Sequence, residues 1–381
     1  YDGASRFAKD YRWGLFPSFS AGWVISQESF MSSVNFVNQM KLRASYGELG
    51  NQDIRDANNN PLYYNYISYI TTGNPYAFNN AAVQGAWQSS LGVDNLQWET
   101  AKMTDIGLDL QVLDGKFGIT ADYYRKVTED VLFLIPVPGV AGMPTPAQNG
   151  VEIENKGWEL ALNYNASINE NLNISARFMI SENKNKILDL KGAGPVLRNS
   201  NRTAFIEGEE IDVIYGYKTD GLLTQAHIDS GTPLLFSNSL PGDVKYLDIS
   251  GPNGVPDGIV SATYDRLPLA SNLPHYPTSL NLNIGYRNFD LSFLLQGALK
   301  QSSILFGALI EGPNWENYTH KAMLARWTES NPDPNASWPR FERSATKSQE
   351  SSDFWVRDTK YVRMKNLTFG YNFRTDLISK I

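Results

Sequence analysis

An apparent metal loop lies at Asp248-Ile-Ser-Gly-Pro-Asn-Gly-Val-Pro-Asp-Gly258, with Asp265 downstream. Calcium prefers clustered oxygen ligands on a loop that turns sharply at glycine. Asp248, Ser250, Asn253, Asp257 and Asp265 offer such oxygens, and a solvated Gly/Pro/Asp turn accounts for the same residues. A second group is aromatic. Tyr76 and Trp87 lie in one long polar connection, and Trp315, Tyr318 and Trp338 lie in another. Their flat apolar faces suit the C–H face of a sugar ring, and they suit equally the packing of a long loop on itself. The carboxylate pairs Glu152/Glu154 and Glu209/Glu210 are the residue types of a glycosidase, but nothing places either pair across a sugar. His227, His275 and His320 fall in expected loops without an HExxH or triad-like context, and the glycines form no phosphate-binding strand-turn-helix. The chain has no cysteine, which excludes disulfides, thiolate-bound zinc and thiol catalysis. No enzyme activity is expected.

The elements that must position these groups are strands. Ile106, Leu108, Leu110 and Val112 alternate with polar residues or glycine, an Asp114-Gly115 turn follows, and Phe117, Ile119, Ala121 and Tyr123 return. Trp158, Leu160, Leu162, Tyr164, Ala166 and Ile168 lead to Asn169-Glu170-Asn171, after which Leu172, Ile174, Ala176, Phe178 and Ile180 come back. Leu280, Leu282, Ile284 and Tyr286 lead to Arg287-Asn288, and Phe289, Leu291, Phe293 and Leu295 return. Period-2 alternation gives each strand one apolar and one polar face. A soluble antiparallel sheet has the same pattern when its apolar face covers a core. Here no helix supplies a second layer, and connections of roughly thirty residues or more all fall on one side of the tight hairpins, the shape of an outer-membrane barrel.

Composition agrees. Aromatic residues make up 12% of 381 residues, with 20 Tyr, 18 Phe and 9 Trp, as interfacial girdles require. Mean hydropathy is -0.35 and no apolar run approaches 18 residues, so no transmembrane helix is expected. Barrel strands hide their hydrophobicity in alternation. The net charge is -7, from 33 basic and 40 acidic residues without a basic block, so nucleic acid is not an expected partner.

Further strands are expected over residues 12–25, 40–46, 213–217 and 366–373, giving roughly ten in all. Long loops are expected over 47–97, 126–155 and 182–210, and a short helix over 318–327. Asp109, Asp122, Glu159, Asn163 and Asn283 are expected to face a watery lumen. The chain opens at Tyr1 without a leader and stops just after a strand, and is expected to be part of a longer exported protein.

Several segments resemble the SusC/RagA family of TonB-dependent outer-membrane transporters. They are Phe16-Pro-Ser-Phe-Ser-Ala-Gly-Trp23, Met40-Lys-Leu-Arg-Ala-Ser-Tyr-Gly-Glu-Leu-Gly-Asn51, Leu96-Gln-Trp-Glu-Thr100 with Ile106-Gly-Leu-Asp109, and Asp122-Tyr-Tyr-Arg-Lys-Val-Thr-Glu-Asp-Val-Leu132. Glu154-Asn-Lys-Gly-Trp-Glu159, Phe289-Asp-Leu-Ser292 and Tyr361-Val-Arg-Met-Lys-Asn-Leu-Thr-Phe-Gly-Tyr371 continue the series in family order. The resemblance implies that residues 1–381 are part of a single barrel domain in the bacterial outer membrane. It implies an all-β, transmembrane antiparallel barrel of 22 strands, of which this chain holds part. Long loops would be extracellular and short turns periplasmic. The N-terminal plug, with its TonB contact, and the closing strands would lie outside the chain. It also implies a SusD-like surface lipoprotein as lid, glycan or peptide as cargo, the lipid bilayer as surroundings and TonB as the source of force. Family members resemble an EF-hand at the Asp248 loop. Here Pro252 is inserted and neutral Ser250 and Asn253 replace carboxylates, so a solvated turn without a cofactor is the leading expectation and weak calcium binding in this extracellular loop is the alternative. Two other functions fit the strands alone: a secreted soluble glycan-binding or glycoside-cleaving β-protein, and an outer-membrane barrel with a non-import assembly role.

Overall fold

The computed structural model describes residues 1–55, 60–134, 140, 142, 146–310, 319–342 and 347–373. Nine strands form one antiparallel sheet: β1 (Ser18–Val24), β2 (Val37–Asn51), β3 (Glu99–Val112), β4 (Phe117–Leu134), β5 (Ala147–Asn169), β6 (Leu172–Asp189), β7 (His275–Tyr286), β8 (Phe289–Lys300) and β9 (Tyr361–Tyr371). Each pairs with its neighbours in chain order, so the sheet is a meander from β1 to β9. The hairpin expectations hold at their centres. Leu110 faces Ile119, Leu162 faces Phe178 and Leu282 faces Phe293. Leu113, Asp114 and Gly115 all take positive φ in the first tight turn, the conformation that matches the twist of the flanking strands.

Register brings apolar residues into rows that cross the sheet, as in Trp23, Leu42, Leu108, Ala121, Leu160 and Ile180. Among the described residues no protein layer covers this face. Phe19, Ile106, Tyr123, Leu367 and Phe369 are all more than half exposed. Among the described residues no helix is long and apolar enough to cross a membrane. The chain is an all-β partial barrel wall with a lipid-facing exterior.

Several strands outrun the expected limits. β5 spans 23 residues and β6 continues through Asp189, although about 9–11 residues of tilted strand cross a bilayer. The extra length lies at the long-loop end, where alternation passes from apolar to charged and the sequence reads as loop. The expected strand at 213–217 forms, but it joins a separate sheet with Val196–Arg198, Thr203–Phe205 and Arg266–Ala270. Among the described residues the wall therefore holds nine of the roughly ten expected strands. Residues 47–97 are not all loop: β2 runs to Asn51, and Ile70–Phe78 pairs with Ala81–Gln88 in a hairpin attached to no other sheet. The expected helix is reduced to a 3-10 turn at Lys321–Ala325.

The largest buried cluster of the described residues lies beyond the wall, in a cap built from the β6–β7 and β8–β9 connections. Tyr217, Leu222, Val244, Tyr246 and Val260 pack with Trp327 and Ala336. A second cluster joins the cap to the upper wall through Val151, Ile187, Leu190 and Phe205.

Candidate functional site

The polar face of the wall is held open by charge pairing. Arg43 on β2 places Nε 2.8 Å from Asp109 on β3 and Nη2 2.8 Å from Asp122 on β4. Its guanidinium crosses β3 directly over Gly107, where a Cβ would sit 2.3 Å from Asp122 and 2.6 Å from Arg43. Alternation alone cannot supply this bridge, because it needs the missing side chain at position 107. Beside it lies an open recess of about 360 Å³ lined by Thr120, Asp122, Glu159, Arg177, Ser279 and Gln296. Asp109, Asn163, Asn165 and Gln111 line a neighbouring recess nearer the tight turns. Amide, hydroxyl and carboxylate groups therefore recur along this face, which suits a hydrated passage.

The free hairpin carries the first two aromatic candidates together. Tyr76 and Trp87 share a face with Phe78 and Val83, and all four are exposed. Tyr76 and Phe78 rings sit 4.9 Å apart. No charged residue occurs over residues 57–93, which contain Tyr63, Tyr64, Tyr66 and Tyr69 besides the hairpin aromatics. Trp338 is elsewhere, half-buried in the cap with its ring 5.4 Å from that of the fully buried Trp355. Trp315 and Tyr318 lie outside the described residues.

The Asp248 loop is largely satisfied by its own backbone. Asp265 is fully buried and accepts N–H groups of Ile249, Ser250 and Ser261 at 2.8, 3.0 and 2.7 Å. Asp248 Oδ2 accepts from Gly258 N, and Asp257 accepts from Ile259 N. Asp248 Oδ1 is buried without a partner. Among the described residues no three acidic or histidine side chains converge as a metal site. The donor set does not form a carboxylate cage, and Ser250 contributes its N–H to Asp265.

One cluster escaped the sequence. His275 opens β7 almost fully buried, rather than sitting in a loop. Its Nδ1 lies 2.9 Å from Glu182 of β6, and its Nε2 lies 2.9 Å from Ser271 Oγ and 3.3 Å from Glu210. Ser271 Oγ also donates to Glu210 and accepts from Leu273 N. A serine held by three partners is not a free nucleophile. The cluster pins both ends of the β6–β7 connection to the wall, and Glu182 and Glu210 are too far in sequence from Ser271 and His275 for any local pattern to reveal it.

In the cap, burial pushes the Tyr217 phenol up to about 12, and Tyr246 is raised well above its ordinary value for the same reason. Asp243 is buried and paired with Arg340 Nε at 2.7 Å. The Lys245 ammonium, 2.7 Å away, holds the Asp220 carboxyl below its usual range.

The sequence profile described as TonB dependent receptor-like, beta-barrel matches residues 1–376. TonB-dependent receptors P3 and P26 of Formosa agariphila are 31% and 33% identical to this chain, over 100% and 98% of it and 37% of each relative. TonB-dependent receptor SusC of Bacteroides thetaiotaomicron is 26% identical over 98% of this chain and 36% of its own length. The solved structure of the RagAB peptide importer in its closed-closed state superposes with a TM-score of 0.76 at 21% identity, covering 99% of this chain and 39% of that one. The chain thus spans a little over a third of the length of the relatives it matches.

Proposed function

This chain belongs to the TonB-dependent receptor-like β-barrel family, and from that premise we propose that it is part of the barrel of a SusC-type importer of the bacterial outer membrane. The observation that carries this reading is the outward apolar face, which crosses β1 to β9 and has no protein cover among the described residues. A secreted soluble protein would present that surface to water. The rest of a longer protein would complete the barrel and supply a plug to close it and a segment to meet TonB. A SusD-like lipoprotein would sit over the long-loop end. The chain's own residues perform no covalent chemistry in this scheme: the loops meet cargo, the polar face conducts it, and force from TonB moves the plug.

The cargo is proposed to be a glycan or a peptide, and the uncharged aromatic stretch over residues 57–93 favours a neutral glycan. Aromatic rings offer apolar faces, and Asn and Gln amides pair with hydroxyl groups without demanding charge. The test is uptake by cells that carry the full-length protein. Accumulation of a neutral oligosaccharide should stop when TonB is deleted or the proton gradient collapsed. Uptake that survives both treatments removes the importer reading and favours a passive or assembly role.

A further inference from the structure

Five wall strands change from apolar to charged within three successive cross-strand rows. On the outward face, β2 runs through Leu42, Ala44 and Tyr46 to Glu48, and β3 runs through Leu108 and Ile106 to Thr104 and Lys102. β4 passes from Tyr123 to Arg125, β5 from Trp158 to Lys156, and β6 from Ile180 past Glu182 to Lys184 and Lys186. From Ile168 to Trp158 the outward face of β5 is apolar; at about 3.3 Å per residue and the usual tilt of about 40° that is roughly 25 Å of height, the thickness of a barrel's lipid-facing band. The charged row begins at the next outward position, above the aromatic pair Tyr123 and Trp158.

Register sets Arg125, Lys156 and Lys184 directly opposite one another across three strands. Like charges in that relation repel. Glu154 offsets two of them, with Arg125 Nε at 2.8 Å and Lys156 Nζ at 3.3 Å. Lys184 and Lys186 are exposed; register sets Lys186 opposite Glu154, but Glu154 turns to Arg125 and Lys156, and neither lysine has an acidic partner within ion-pair distance among the described residues. Uncompensated positive charge therefore sits on the outward face, at the edge of the apolar band, on the side of the long loops.

We propose that Arg125, Lys156, Lys184 and Lys186 form a binding row for the phosphate groups of outer-leaflet lipid headgroups. The inference rests on the outer-membrane reading above, which places the long loops outside the cell. The band's aromatic rim would hold the acyl chains while the row neutralises the phosphates. Glu154 keeps Arg125 and Lys156 in place between lipid encounters, and Lys184 and Lys186 are left free for the ligand.

The test uses the full-length protein containing this chain, purified from outer membranes in mild detergent and titrated by native mass spectrometry. Three probes are added separately: diphosphorylated lipid A, the same lipid A after removal of its phosphates, and inorganic phosphate. A basic group near an anionic lipid surface is worth roughly a five-fold change in binding. Lys184→Gln with Lys186→Gln should weaken diphosphorylated lipid A by about twenty-fold, whereas Lys184→Arg with Lys186→Arg should bind as the parent does. Dephosphorylated lipid A should bind parent and Gln variant equally and weakly. Equal binding of diphosphorylated lipid A by parent and Gln variant overturns the proposal, as does equal binding of both lipid forms by the parent. Displacement of lipid A by an equal concentration of inorganic phosphate also overturns it, leaving a free-anion site. A protein that stays soluble without detergent would instead refute the membrane reading itself.

Discussion

The wall and the cap use apolar side chains in opposite ways. In the wall, Ile106, Tyr123, Leu367 and Phe369 point away from the protein, and the face that looks inward carries Arg43, Asp109 and Asp122. In the cap, Trp355, Leu222 and Met323 are buried among their own kind and the charged groups lie around them. The hydrophobic effect is common to both, but the solvent differs. Lipid removes the need for a second layer over the wall, and water demands one in the cap. An exposed apolar residue therefore signals a membrane face only where register repeats it across strands.

The largest test of that contrast is Trp355→Ala. The ring packs on Trp338 and Phe354, and its Nε1 donates to Ser348 O at 2.7 Å. Removing it should cost the cap about 3–5 kcal/mol. Limited proteolysis should then cut the cap while the wall keeps its heat-modifiable migration on gels. Cleavage of both together would show that wall and cap are one cooperative unit.

Leu162→Arg probes the other side. Leu162 sits between Ile119 and Phe178 near the middle of the outward face. A charge at that depth should cost about 2–4 kcal/mol, read as a lowered urea midpoint in lipid vesicles. The same change should be harmless if the face were in water.

Gly107→Val should cost about 1–3 kcal/mol, because the new side chain meets Asp122 and Arg43 head-on. Asp122→Asn combined with Gly107→Val should not restore stability, since Arg43 still has to cross position 107. Full recovery in the double variant would show that the ion pair, and not the crossing, sets the cost.

Alkali should separate the two regions next. The Tyr217 phenol ionises near 10 when unfolded and near 12 when buried in the cap. The unfolded chain therefore loses this proton first, and cap stability present below pH 10 declines as pH rises toward about 12. Proteolysis of the cap at pH 9 and pH 11 should differ, and Tyr217→Phe should reduce the difference.

The smallest expected effect is that of calcium. Asp265 already spends its carboxylate on three backbone N–H groups, so added calcium should leave the melting temperature of the full-length protein unchanged. A clear rise, lost on Asp248→Ala, would restore calcium to this loop through the unpartnered Asp248 Oδ1.

Much of the wall was legible before any coordinates. Leu162 opposite Phe178 and Leu282 opposite Phe293 follow from alternation and a tight turn, because successive side chains must point to opposite faces. The same local rule separated the lipid-facing from the lumenal side and put every long connection at one end. It failed where alternation lost its apolar half, which is why the upper parts of β5 and β6 read as loop. Tertiary structure alone decided that Val213–Tyr217 leaves the wall for the cap, that His275 meets Glu182 and Glu210, and that the Trp338 ring packs at a tilt against Trp355. Those pairings close long stretches of chain. Their free energy depends on what the folded ends bury together, and no window of neighbouring residues records that.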